Sequence, residues 1–333
     1  MLNSELETIE PNEQAMIAEL VETQRRLHAI EGTPGRRPQH PKQHGLVKAD
    51  LVVGGGLADE LRHGLFREPR TFEAWVRYSN GKGEDDRKKG LRGMAVKVLG
   101  TDDLGASEQD FIAIDMPTFF IRNNVEYLDL TRALLAARGG FPRSYLLPGL
   151  NPLGWHPGRL LRLSKVFRKC GDLLAARFYS TTPYRLGPRA IKFSFRPIQA
   201  NGPPLPMGTT PDFLRDRLVA TLNDRPAEFD LLVQIQGDPT SMPVEDPTVD
   251  WDDARPTAPW HKVATLRMPI QNPATPERLA LAEAMAFTPW HTLPDHQPLG
   301  GINRARKAIY EATQADRLAV LGRSEPARPR EGD

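Results

Sequence analysis

RARKAIYEATQADR, residues 304–317, sets Arg306, Tyr310, Thr313 and Arg317 at steps of four, three and four. Those steps follow the helical repeat, so the four side chains share one stripe of a helix. Ala305, Ala308, Ile309 and Ala312 fall elsewhere around the turn and offer little bulk to a core. A free phenol stays protonated at neutral pH. A guanidinium one helical turn away favours its anion by charge and hydrogen bonding. A phenolate is a hard anionic ligand suited to ferric iron, and tyrosinate is one of the few protein ligands of haem. A second guanidinium two turns on suits an anionic group such as a propionate, which it can hold with two parallel bonds. The bland alternative for the same spacing is a charged helix face around a buried tyrosine.

Working outward, most strand-like segments lie before this helix and have few helices between them. They are 46–53, 72–79, 91–99, 109–114, 189–196, 228–236 and 261–268. Helical periodicity marks 13–31, 123–137, 159–176, 275–286 and 302–320. Strands joined by turns or long Pro-rich connections favour an antiparallel, closed or nearly closed sheet with helices packed outside, an α+β arrangement. No composition break divides the chain, which predicts one domain over 1–322 and a disordered tail over 323–333.

The net charge of +2 gives no electrostatic case for a nucleic-acid partner. The single cysteine, Cys170, excludes an intrachain disulfide and fits a reducing compartment. The first twenty residues lack the basic and apolar regions of a secretory signal, and no apolar run reaches membrane-spanning length. A cytoplasmic protein is expected. The glycine triplet 54–56 lacks the Lys-Ser/Thr of a phosphate loop and reads as a turn.

One segment is electrically unusual. Between Asp129 and Asp172 no acidic residue occurs, while Arg132, Arg138, Arg143, Arg159, Arg162, Lys165, Arg168 and Lys169 do. Leu146, Leu147, Leu150, Leu153 and Trp155 are interleaved with them. Such a stretch over 132–169 suits either peripheral contact with an anionic membrane or a solvated face paired to the protein's own carboxylates.

Two further pieces carry chemistry. In RRPQHPKQHG (36–45), His40 sits between prolines just before a strand, where rigid backbone can aim it into a cavity as a proton shuttle. A metal pair with His44 would want a helix, which Pro41 disfavours. In WVRYSNGKGEDD (75–86), strand alternation puts Trp75, Arg77 and Ser79 on one face and Val76 and Tyr78 on the other. A buried Arg77 would need an anion, and Ser79 suits a bond to a histidine ring.

Together these pieces resemble the haem-containing catalase family, from about residue 30 to about 320. The motif R-x-x-x-Y-x-x-T-x-x-x-R is present as Arg306, Tyr310, Thr313 and Arg317. R-x-x-H-x-K is present as Arg37, His40 and Lys42. The V-R-x-S-x-x-x-G-E motif is present with Arg77 and Ser79, R-G-x-A-V-K from Arg92 to Lys97, and P-x-F-F-I-R from Pro117 to Arg122. The segment AFTPWHTLPDHQPLGG ahead of the last helix is similar to that family's approach to its proximal helix.

The resemblance implies the eight-stranded antiparallel barrel of the catalase core, without the extensions of larger members. It implies haem b with Tyr310 as the iron ligand, Arg306 favouring its anion, and His40 with Ser79 as the catalytic pair. Arg37, Arg77 and Arg317 would hold the propionates, and Thr313, Phe119 and Tyr127 would complete the haem site. The family's distal asparagine falls at Ile114, beside Asp115, and Gln39 replaces a small apolar residue. Loss of that amide predicts a peroxidase, using hydrogen peroxide or organic hydroperoxides and a small-molecule electron donor, with weak catalase activity. The alternatives are a fatty-acid hydroperoxide isomerase or lyase and a non-enzymatic haem-binding protein. A homo-oligomer is compatible with either.

Overall fold

The computed structural model describes residues 6–32, 35–147, 155–198, 205–254 and 257–329. Four long strands follow the first helix, α1 (Glu13–Glu31), as an antiparallel meander. They are β1 (Gln43–Val53), β2 (Arg70–Asn80), β3 (Arg92–Leu99) and β4 (Glu108–Ile114). Three helices intervene: α2 (Asn124–Ala136), α3 (Arg143–Leu146) and α4 (Pro157–Ser164). Short strands β5 (Phe178–Tyr179) and β6 (Tyr184–Leu186) then lead into β7 (Arg189–Pro197). Helix α5 (Phe213–Asp224), β8 (Ala227–Ile235), β9 (Trp260–Met268), α6 (Pro276–Ala284) and α7 (Gly301–Val320) complete the described chain.

β1 pairs with both β2 and β9, and β5 pairs with both β4 and β7, so eight strands close into an antiparallel barrel. β6 continues the line of β5 along the same edge of β7. The barrel is filled by its own side chains. Phe72, Val76, Tyr78, Val96, Phe111, Phe193, Phe195 and Leu231 are all buried in one apolar cluster. Phe111 meets Phe193 edge-on at 5.1 Å between centroids, a geometry that aromatic quadrupoles favour.

The opposite face of β1–β3 is covered by α6 and the loop after it, where Trp75 packs with Ala282, Met285 and Phe287. The alternation expected around Trp75 therefore holds, with the Arg77 side facing outward from the barrel under a helical layer.

Helix α7 is anchored at its start. Its cap, Gly300, has φ 88° and lies against Val244 O, so a side chain there would meet both strain and backbone. The Gly300 and Gly301 N–H groups donate to Glu7 and Glu245, carboxylates well placed at a helix N-terminus. Arg304 ion-pairs with Glu7 and with Glu13, the latter at 2.6 Å. Ala305 and Ile309 pack with Ile17 and Leu20 of α1 and Leu128 of α2. The small residues off the Tyr310 stripe thus let α1 approach closely.

The placement of several elements differs from expectation. The helix expected over 159–176 ends at Ser164, followed by turn bonds from Val166 N to Leu163 O and from Phe167 N to Ser164 O. No element was expected over 212–227, yet α5 forms there and buries Phe213, Leu214, Leu218 and Leu222. β5 and β6 also lie outside the expected strands. Of the expected tail, Ala327 N donates to Ala284 O at 3.0 Å, and 330–333 lie outside the described residues.

Candidate active site

A cavity of about 100 Å³ lies between the outer face of the barrel wall and α7. α7 contributes Ile309, Tyr310, Thr313, Gln314 and Arg317; β2 contributes Arg77 and Ser79; the loop before β1 contributes Arg37 and His40. Six candidates scattered over almost the whole chain thus share one site with Thr313. The Thr313 hydroxyl donates to Ile309 O at 2.7 Å and is spent on its own helix. A second cavity, about 500 Å³, meets the first at Tyr310 and Gln314.

His40 is held at both ends. Its backbone has φ 56°, a region that disfavours side chains by roughly 1–2 kcal/mol. Its N–H donates to Gly81 O at 3.2 Å, and its carbonyl accepts from Arg77 Nη2 at 3.0 Å. Nδ1 lies 3.0 Å from Ser79 Oγ. Gly93 makes room for the ring, because a Cβ there would come within 2.5 Å of Nδ1 and 2.9 Å of Ser79 Oγ. Burial, reinforced by Arg77, Arg306 and Arg37, pushes the imidazole down to about 3. It is a neutral base at physiological pH.

The arginines form a group short of negative charge. Arg37 Nη2 donates to Ala282 O and Met285 O at the end of α6, and Arg317 donates to Glu283 O and Met285 O. Burial lowers Arg37 well below the ordinary guanidinium value, with Arg77 and Arg317 adding repulsion; it also lowers Arg77 to about 10. Glu283 is the carboxylate that opposes these shifts, 3.7 Å from Arg317. Nε of Arg37 and Nε of Arg77 are buried without a hydrogen-bond partner. Buried charge in this state wants an anionic ligand.

Arg306 stands apart from the lining. Its guanidinium carbon is 5.7 Å from the centre of the Tyr310 ring, and Nη1 donates to Asn303 Oδ1 at 2.9 Å. Burial alone would lower it, but the Tyr310 and Tyr184 phenols outweigh burial and raise it.

Two cofactor-site candidates lie outside this lining. Phe119 stacks on Phe120 at 4.7 Å in a cluster with Ile121 and Ile302, and is not among the cavity-lining residues. Tyr127 packs beside Ile309 at the α1–α2–α7 junction, near Arg306 but outside the lining. Burial pushes its phenol up to about 12.

From β4, the wall receives Ile112 and Ala113 rather than Ile114, which pairs with Gly93 and Tyr179. Asp115 turns away, accepting from Arg92 N at 2.8 Å. His44 is occupied by Asn80 at 2.9 Å, and no cluster of three metal-ligating His, Cys, Asp or Glu side chains occurs among the described residues. Lys42 forms a buried ion pair with Asp86 at 2.8 Å.

Sequence reasoning missed Glu283 and the apolar wall of Met94, Ala95, Phe287 and Ile309. Ala95, as the alanine of R-G-x-A-V-K, and Phe287, within AFTPWHTLPDHQPLGG, had a signal.

The donor set fits haem: a phenol for the iron, a histidine–serine pair, and partly unpaired guanidiniums where carboxylates would bind. No family model matches the chain. It is 29% identical over 320 residues to a catalase-related peroxidase of Mycolicibacterium paratuberculosis, covering 88% of this chain and 94% of the relative. Its fold matches a bacterial catalase with a TM-score of 0.64 at 17% identity, over 93% of this chain and 61% of that one. Catalase A of Saccharomyces cerevisiae matches at 0.64 and 15% identity, over 87% of this chain and 62% of that one. The chain therefore spans about three fifths of the length of these solved catalases. The closed barrel is the fold of these solved catalases, and in sequence the chain is similar to a catalase-related peroxidase.

Proposed function

We propose that this cavity holds haem b with Tyr310 as the iron ligand, and that the protein is a peroxidase for hydrogen peroxide or organic hydroperoxides, with weak catalase activity. The observation that carries this reading is the under-compensated arginine group beside Tyr310 and the His40–Ser79 pair. Three guanidiniums, Arg37, Arg77 and Arg317, face one carboxylate, Glu283, and the surplus of two positive charges equals the charge of two propionates. When bound, haem would supply the iron centre at which the O–O bond breaks and oxidising equivalents are stored.

Neutral His40 performs the proton work. With Nδ1 engaged by Ser79 Oγ, Nε2 is left to accept the peroxide proton and return it to the departing oxygen. Overall the peroxide becomes an alcohol and a water, or two waters from hydrogen peroxide, with two electrons and two protons drawn from a small-molecule donor. Arg306 lies behind the Tyr310 phenol, its guanidinium carbon 5.7 Å from the centre of the ring. The relative's name, catalase-related peroxidase, supports the same chemistry.

The β4 wall offers Ile112 and Ala113 and no amide donor. Loss of one such preorganised donor typically costs roughly 10²–10³ in rate, which is why the catalase reaction is assigned as the weak one. The apolar wall also favours a second reading, rearrangement of fatty-acid hydroperoxides without an external donor. The proposal takes residues 1–322 as one domain working in the cytoplasm.

Expressing the protein with a haem precursor and adding peroxide in stopped flow separates these reactions. Dye oxidation identifies a peroxidase, oxygen release a catalase, and substrate loss without donor an isomerase. Tyr310→Phe should remove the haem or change its absorption spectrum. An unaltered spectrum in that variant would overturn the ligand assignment.

A further inference from the structure

Helix α4 is built inside out. Its charged residues Arg159 and Arg162 turn inward, where Arg162 meets Glu126 and Arg159 meets Glu126 and Asp129, both at 3.3 Å. Arg159 also covers the Tyr145 ring at 4.5 Å. Arg132 is likewise taken, by Glu19. The protein's own carboxylates therefore account for part of the basic segment but not for the rest. Leu160 and Leu161 face outward instead, the reverse of the usual surface helix.

The same α3–α4 unit carries Phe141, Trp155 and Phe167, and these five large apolar side chains are 42% to 65% exposed. Exposed Arg138, Arg143, Lys165 and Lys169 lie along the same stretch, with no ion pair among the described residues. Leu150 and Leu153 of the segment lie outside the described residues. No described helix is long and apolar enough to cross a membrane.

We propose that this face docks the protein onto an anionic phospholipid bilayer. Leu160, Leu161, Phe141, Trp155 and Phe167 enter the boundary between headgroups and acyl chains. Arg138, Arg143, Lys165 and Lys169 meet the lipid phosphates, the arrangement that interfacial helices use. Charge decides the occupant: with no acidic residue between Asp129 and Asp172, the patch complements a negative surface and repels a second copy of itself. The inference does not rest on the haem reading, because the patch shares no residue with the cavity.

Flotation of the full chain with phosphatidylglycerol vesicles should recover it at low salt, with recovery falling as salt rises; phosphatidylcholine vesicles should not retain it. Leu161→Ser/Phe167→Ser should weaken binding roughly tenfold, and Lys165→Glu/Lys169→Glu by at least about tenfold. Far-ultraviolet circular dichroism and the melting temperature should stay unchanged in both. No binding to phosphatidylglycerol, or binding indifferent to both variants, would overturn the proposal. So would sedimentation showing that Leu161→Ser/Phe167→Ser converts a dimer to a monomer, since the patch would then be covered by another copy.

Discussion

The two faces of β2–β4 differ in what they are for. Inward, Val76, Tyr78, Val96 and Phe111 are buried in the barrel core. Outward, Arg77, Ser79, Gly93, Ala95 and Ile112 line a cavity closed by α7. The period of two thus separates stability from chemistry along most of these strands, with Met94 and Ala113 shared by the core and the cavity wall. A large change on one face should leave the other face's property almost untouched.

His40→Ala should give the largest effect, slowing peroxide cleavage by roughly 10²–10⁴ while the haem spectrum and the melting temperature hold. Stopped-flow absorbance and calorimetry on one preparation check both halves. Phe193→Ala is the converse on the inner face. It should cost about 3–5 kcal/mol in urea unfolding, with peroxide cleavage by the surviving folded fraction unaltered. If its rate per folded molecule fell as far as that of His40→Ala, the separation of faces would be wrong.

Gly93→Ala sharpens the comparison on the outer face. The added Cβ overlaps the His40 ring, so the His40–Ser79 bond must shift, and cleavage should slow by roughly tenfold to a hundredfold. Steady-state rates and the circular dichroism spectrum test it; a normal rate would show that the ring has room to spare.

The smallest effect is in pH. Burial pushes His40, His44 and His296 down to about 3, 4 and 4. Below the ~6.5 of a free imidazole, the unfolded chain binds more protons at these positions, so stability falls as pH drops from about 6.5 towards 4. His291 behaves oppositely. Although burial alone would lower it, Asp110 and Glu108 raise it to about 9, so its contribution is full below ~6.5 and fades as pH rises through 9. The urea midpoint should therefore peak near the middle of this range, and a flat profile from pH 4 to 9 would contradict the assignment.

Much of this was legible in the sequence because period and motif agreed. β1–β4, β7–β9, α1, α2, α6 and α7 all carry enough residues for a repeat to show. β5 and β6 have two and three residues, too few to display alternation. In 159–176, Leu and Arg recur at helical spacing, but the spacing does not reveal that the arginines face inward or that the helix ends at Ser164. At the site, motif order found Arg37, His40, Arg77, Ser79, Tyr310, Thr313 and Arg317, whose convergence no local pattern shows. Phe119, Tyr127 and Ile114 lie outside the cavity lining, which the sequence does not show. Side chains near the cavity in chain order need not face it, and only the packing of α2 and the β4 register decides that.

The ring of strands is fastened by a clasp. Between β4 and β7 the circuit runs through two residues, Phe178 and Tyr179, with Ile114 opposite Tyr179. So few backbone bonds make this the thinnest stave of the wall, one and two positions along β4 from the cavity residues Ala113 and Ile112. Breathing motions should part the cylinder here first, beside the chemistry, and leave the remaining seams shut.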